Sequence, residues 1–249
     1  MSQATFSPSE AVPEGGTSGD FDKDRERMHR QMLSSVSHDL KTPLASIIGS
    51  LEVFERMKDK LQGAQKDELV KVALQEAYRL DNFITNILDM AKLDNGLVKP
   101  RHEAAEVSAV VRDCLLRLNH RLRHSTVNVK STGTLDIATD APLLTRAVCL
   151  ILDNAVKYGG TPSVIDIEYG RKDDHIGFIS IADNGRGIAQ SQLGLIFNKY
   201  TRFAKEDQQN AGTGLGLAIA RSIMNLLHGD VTAANQSNGS AILTITFPV

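Results

Sequence analysis

The stretch Ser37-His38-Asp39-Leu40-Lys41-Thr42-Pro43-Leu44 puts an imidazole, a carboxylate and a hydroxyl close together in a strongly helical pattern. Thr42 follows His38 by four positions, so on a helix the two side chains share a face, one turn apart. Asp39 lies about 100° further round and can reach His38 only by bending back. A carboxylate that holds one imidazole N–H leaves the other nitrogen as a nucleophile at neutral pH. Pro43 cannot donate to the carbonyl of Asp39, and its ring crowds that carbonyl. The preceding residue, Thr42, is pushed away from helical angles. A helix that continues through Pro43 is therefore expected to be kinked and loose beside the histidine. Alone, the pair reads as a surface histidine near a kink.

Four motifs in the second half change that reading. Asn154 and Lys157 stand three apart on a predicted helix, followed by Tyr158. An amide oxygen beside an ammonium suits a Mg²⁺-polyphosphate, with oxygen on the metal and lysine on a phosphate. Asp183-Asn184-Gly185-Arg186-Gly187 follows an apolar strand. A strand-end carboxylate there can accept from the exocyclic amine of a base, and the glycines allow close backbone approach. Phe197-Asn198-Lys199-Tyr200-Thr201-Arg202 offers an aromatic anchor and a cation at the root of a polar loop. Gly212-Thr213-Gly214-Leu215-Gly216 opens a helix, whose N-terminal N–H groups can bind phosphate. It follows no strand and lacks the Gly-Lys-Ser/Thr ending of a P-loop, so neither a dinucleotide fingerprint nor a P-loop is indicated.

Two kinds of element must position these groups. From residue 21 helical pattern begins, with apolar positions at Leu33, Leu40, Leu44, Ile47, Leu51 and Phe54. From Leu40 their spacing alternates four and three, as in a heptad seam, and His38 falls off it toward solvent. A polar turn over residues 58–66 leads to a second seam at Ala73, Ala77, Leu80, Ile84, Ile87 and Ala91. Two seamed helices make a hairpin that one chain cannot bury on all sides, so a homodimeric four-helix bundle is expected. Packing of the hairpin on the chain's own second half is the less favoured alternative. Asn95-Gly96 and Pro100 end the hairpin. Beyond it the pattern predicts helices over 107–122, 142–158, 193–197 and 215–227, and strands over 127–129, 135–137, 165–169, 176–181, 230–234 and 241–247. Residues 201–214 read as a mobile loop. The expectation is an all-α hairpin (residues 21–95) followed by an α+β sandwich (96–249), after a disordered tail or linker (1–20).

The chain has 249 residues, 41% hydrophobic and 23% charged, enough for two ordinary domains. Its formal net charge of −2 gives no support for nucleic-acid binding. Cys114 and Cys149 have no metal-type spacing and read as buried, inert thiols in a reducing, cytoplasmic setting. No apolar run is long enough to span a membrane; a membrane-anchored sensor region would lie outside this chain.

The order of histidine box, asparagine box, Asp-x-Gly-x-Gly, Phe box and Gly-x-Gly-x-Gly resembles the two-component sensor histidine kinases, over essentially residues 21–249. The resemblance implies a dimerisation and histidine-phosphotransfer hairpin, then an ATP-binding domain of the type shared with gyrase, Hsp90 and MutL. It implies phosphorylation of His38 with help from Asp39, Mg²⁺ on Asn154, Lys157 near phosphate, Tyr158 near the nucleotide and Asp183 on the adenine amine. Gly185 and Gly187 would shape the adenine pocket, Arg202 would belong to the ATP lid, and Gly212, Gly214 and Gly216 would adjoin the phosphates. Thr42 would serve in dephosphorylation of a response regulator, the partner that receives the phosphoryl group. The family's second asparagine, four residues before the matched one, is Leu150 here. A related ATPase and an ATP-independent phosphotransfer scaffold are the alternatives. The first leaves the histidine box unexplained, and the second requires an eroded nucleotide site.

Overall fold

The computed structural model describes residues 18–201 and 214–249. Residues 1–17 of the tail expected over 1–20, and most of the loop expected over 201–214, lie outside them; residues 18–20 are helical instead. Helix α1 (Ser18–Met57) begins slightly before the expected start and runs through Pro43 as one element. Helix α2 (Gly63–Asp94) packs back on it. Their connection is shorter than the expected 58–66 because Gly63 already opens α2, where Gln62 and Gln65 cap each other reciprocally. At its other end the Asn95 amide donates to the carbonyl of Ala91, and Gly96 takes the left-handed conformation that terminates the helix (φ +61°).

The sheet orders its strands β2 (Ser125–Ser131), β4 (Ser163–Arg171), β5 (Ile176–Asp183), β7 (Ala241–Pro248) and β6 (Asp230–Asn235), with labels following chain order. β2 and β4 are parallel and the other neighbours antiparallel. Ile165 and Ile167 alternate with Asp166 and Glu168 along β4, so one face is apolar. Helices α3 (Val107–Leu118), α4 (Ala141–Tyr158) and α5 (Gly216–Leu226) share one core with that face. α4 is the central helix, touching both α3 and α5. Asp140 caps its start by accepting from the amide of Leu143 at 3.0 Å, with Pro142 in the first turn. Cys114 and Cys149 are both buried. The hydrogen bond between them, with burial, pushes the Cys114 thiol up and keeps it protonated.

Three expectations are corrected. Residues 103–106 form β1 (Glu103–Glu106), antiparallel to β3 (Asp136–Thr139). Two Glu and two Ala carry no strand signal; pairing with β3 imposes the conformation. The expected helix over 193–197 is a run of overlapping turns, Ile196 N–H to Gln192 carbonyl and Asn198 N–H to Leu195 carbonyl, around Gly194. Glycine inside so short a segment opposes a stable helix.

The third correction concerns the hairpin. Within the single chain the buried residues of α2 are Ala73, which lies on the expected seam, and Phe83 and Met90, which lie beside it. Met90 belongs to the core of the second half, with Ile87 and Leu93 packed against it. Arg146 of α4 donates to Asp89 (3.0 Å) and Asn86 (2.8 Å), and Lys199 meets Asp94 at 2.7 Å. The end of the hairpin therefore does pack on the chain's own second half. Further along, Leu44, Leu51, Ile84 and Leu88 remain 45–54% exposed. Among the described residues no helix is long and apolar enough to cross a membrane.

Candidate nucleotide site

The sheet-side core fixes one face of α4, and that burial presents the opposite, polar face to a cleft. Leu144, Ala147, Val148, Ile151, Leu152 and Ala155 are fully buried. Asn154, Lys157 and Tyr158 instead line a cavity of about 1310 Å³. Its walls come from both halves of the chain. Asp39 and Pro43 of α1 border it, as do Asp183 at the end of β5, Gly187 beyond it, and Gly214 and Gly216 at the start of α5. The structure thus brings together in one cleft eight of the candidate site residues, with Pro43 beside them.

The others are placed as follows. Thr42 is exposed on α1 and does not line the cavity. His38 is helical in backbone, next to Asp39; its side chain, like Arg202 and Gly212, lies outside the described set. Gly185 stands behind the wall rather than in it. An added Cβ there would collide with the carbonyl oxygen of Tyr158 and come within 2.9 Å of Asp183 Oδ1. Glycine is required because the end of α4 passes directly over this turn. Gly187 has φ +70° and Gly214 φ +65°, values that disfavour a side chain. Gly216 is under no such constraint, its nearest neighbour being Leu150 Cδ2 at 3.7 Å.

Asp183 is 6% exposed, and its Oδ1 accepts from the amide of Gly185 at 2.8 Å. Burial raises its pKa, and hydrogen bonds from the Gly185 and Ala241 amides work against that shift. Asn184 ties the neighbouring loop, accepting from Gly160 (3.1 Å) and Val164 (2.9 Å) and donating to Pro162 (2.8 Å). Asn235 clamps the far side, accepting from Ile188 N–H at 2.9 Å and donating to its carbonyl at 2.6 Å. Neither clamp is marked in the sequence, since their partners lie up to 47 positions away.

At the other end of the cleft, Lys157 pairs with Asp153 at 2.8 Å, one turn before it on α4. Arg121, from the turn after α3, donates to the same carboxylate. Burial pushes the Asp153 carboxyl up, but the two cations outweigh it and hold it below the ordinary aspartate value. Leu150, where the resemblance expects an amide, is 8% exposed; it belongs to the core and also touches the cavity. Phe197 is buried with the Arg221 guanidinium 4.4 Å from its ring centre, and anchors the segment leading to Tyr200. Tyr200 N–H reaches the carbonyl of Gly214 at 2.9 Å, so both ends of the 201–214 segment are pinned together.

The glycine geometry separates two substitutions. Gly185→Ala should force the end of α4 from the turn and cost about 1–3 kcal/mol, lowering the melting temperature by several degrees. Gly216→Ala should leave it within about a degree or two. Equal melting curves for the two variants would contradict the close approach at Gly185.

Residues 28–96 match the His Kinase A (phospho-acceptor) domain, and residues 139–249 the histidine kinase-, DNA gyrase B-, and HSP90-like ATPase domain. Among relatives, the chain is 31% identical over 228 residues to the sensor protein KdpD of Clostridium acetobutylicum, covering 90% of this chain and 25% of that protein. It is 31% identical over 217 residues to the sensor protein CzcS of Cupriavidus metallidurans, covering 87% and 45%. The chain thus spans a quarter to under half the length of these relatives. In fold it is similar to the Acinetobacter baumannii histidine kinase AdeS (TM-score 0.65, 23% identity, 85% of this chain and 97% of that one). It is also similar to histidine kinase ThkA in complex with response regulator protein TrrA (TM-score 0.67, 18% identity, 92% and 66%). The two matched domains, in this order and around this cleft, place the chain in the family of two-component sensor histidine kinases, of which it carries the catalytic core.

Proposed function

We propose that this chain is an ATP-dependent protein-histidine kinase core that phosphorylates His38 and passes the phosphoryl group to an aspartate on a response-regulator receiver domain. The observation that carries this is the shared cleft: Asp39 and Pro43, neighbours of His38, border the same cavity as Asn154, Lys157 and Asp183. The cleft is large enough for a nucleotide. Asp183 would accept from the adenine amine, in a pocket shaped by Gly185 and Gly187. Lys157 and the amides at Gly214 and Gly216 would meet the phosphates, with Arg202 and Gly212 in the lid. A Mg²⁺ ion bound with the nucleotide would neutralise phosphate charge. Asn154 suits it as a single protein ligand, because Mg²⁺ keeps most of its positions for phosphate and water. Leu150, an apolar side chain one turn earlier, supplies no second ligand.

Phosphoryl transfer asks a protein mainly for positioning and charge neutralisation. The imidazole lone pair of His38 forms the new bond to γ-phosphorus while the bond to the bridging oxygen breaks. ADP departs with that electron pair, and Asp39 takes the imidazole proton. The receiver aspartate later attacks the phosphohistidine on the helical hairpin. The exposed Leu44, Leu51, Ile84 and Leu88 support a homodimer through the hairpin, since a second copy is the economical cover for such a stripe. This part of the protein is assigned to the cytoplasm, where ATP and the regulator are available.

Asp183→Asn should weaken binding of a non-hydrolysable ATP analogue by about tenfold or more, because a charge-assisted hydrogen bond contributes about 1.5–3 kcal/mol. The fold should survive. A carboxyl with a raised pKa contributes stability fully present below its ordinary pKa, and lost as pH rises through the raised value. At neutral pH the substitution therefore removes a cost. Calorimetric titration with a parallel melting curve is the measurement. An unchanged dissociation constant removes Asp183 from the site.

Thr42 bears on hydrolysis of the regulator's phospho-aspartate. It lies one turn from His38 and is exposed, so it can orient a water against a regulator's phospho-aspartate. Thr42→Ala should leave autophosphorylation largely intact and slow decay of an independently phosphorylated regulator. If it serves only the backbone before Pro43, both reactions fall together. Decay as fast as with the unmodified protein eliminates the phosphatase role.

A further inference from the structure

Asp153 is an anion at a place that, on the nucleotide reading, must receive a polyanion. Its side chain is 18% exposed and its two oxygens are divided between two cations: Oδ2 meets Lys157 Nζ at 2.8 Å, and Oδ1 accepts from Arg121 Nη1. Lys157 belongs to the asparagine box. Arg121 does not; it comes from the turn after α3, fixed by its own amide on the carbonyl of Leu118 at 2.8 Å. Arg121, Asp153, Asn154 and Lys157 all line the cavity.

A staple between α3 and α4 would need only one cation on the carboxylate. Two leave the cluster with one net positive charge at the wall where Asn154 would meet the metal-bound phosphates. A guanidinium carries five N–H donors, and the bond to Asp153 uses one of them. Its planar fork matches phosphate geometry better than an ammonium does. The Asp153 carboxylate, held in its charged form by the same two groups, keeps both long side chains from turning out to solvent.

We propose that Arg121 is a second phosphate-contacting cation of the nucleotide site, supplied from outside the family motifs, and that Asp153 is the residue that positions Arg121 and Lys157 together. This rests on the nucleotide reading of the cleft. Without Arg121, the Asp153 and Lys157 charges cancel and the cluster loses its net positive charge beside the phosphates. Loss of Arg121 should therefore be felt in proportion to phosphate charge. Removing Asp153 as well returns the cluster to one net positive charge.

The test is calorimetric titration of the full chain with AMP, ADP and a non-hydrolysable ATP analogue in the presence of Mg²⁺. Arg121→Ala should weaken the ATP analogue about tenfold and AMP by about twofold at most, with ADP between them. Arg121→Lys should recover part of the loss. Asp153→Asn introduced into Arg121→Ala should recover affinity for the ATP analogue rather than weaken it further. Arg121→Gln, closer in size, provides the same comparison should Arg121→Ala melt early. Equal losses for all three nucleotides, or none, overturn the proposal and leave a structural staple. Binding of the ATP analogue by the unmodified protein keeps the nucleotide reading standing whichever result follows; no binding of any nucleotide removes both.

Discussion

Burial of one face of α4 sets the geometry of the cleft. Its aliphatic side chains fill the space between the sheet, α3 and α5. Fully burying a residue such as Ile151 or Leu152 contributes roughly 1.5–3 kcal/mol relative to exposure. That face cannot rotate outward without losing several such contributions at once. The polar face is thereby fixed in direction, and Asp153, Asn154, Lys157 and Tyr158 are held at the cleft by residues that never touch it. The same helix reaches the hairpin through Arg146, which holds Asp89 and Asn86.

Charge then organises the cleft. At one end a buried carboxylate, Asp183, is paired with backbone amides and stays available to a donor on a base. At the other end the cluster of Arg121, Asp153 and Lys157 carries an excess of positive charge. On the proposed reading, an adenine at the first and a triphosphate at the second would give the cleft a polarity. The turn of α1 beside His38 borders the same space, which is where a terminal phosphoryl group would have to be delivered. The last turns of α2 contribute Met90 to the core of the second half, so the two halves are coupled by packing as well as by ion pairs.

The motif residues were legible in the sequence because each is local. His38-Asp39, Asn154-Lys157 and Asp183-Asn184-Gly185 are short spacings on one element or at one strand end. The sheet strands were legible because Ile165, Ile167 and Tyr169 alternate with polar residues. What escaped has a non-local cause. Arg121 reaches Asp153 across 32 positions, and Asn235 reaches Ile188 across 47. β1 is a strand through its partner, not its composition. In α2, Met90 faces the core of the second half, with Ile87 of the expected seam packed beside it, through a contact that no heptad count contains.

On this reading the cleft delivers a phosphoryl group to the helix at its border. Incubation of the purified chain with Mg²⁺ and γ-labelled ATP, followed by mass-spectrometric location of the label under alkaline conditions that preserve phosphohistidine, tests it most directly. An acid-labile, base-stable phosphoryl group is expected on His38, absent when Asn154 is replaced. Release of labelled phosphate with no label on the protein, or label on a residue other than His38, would contradict it.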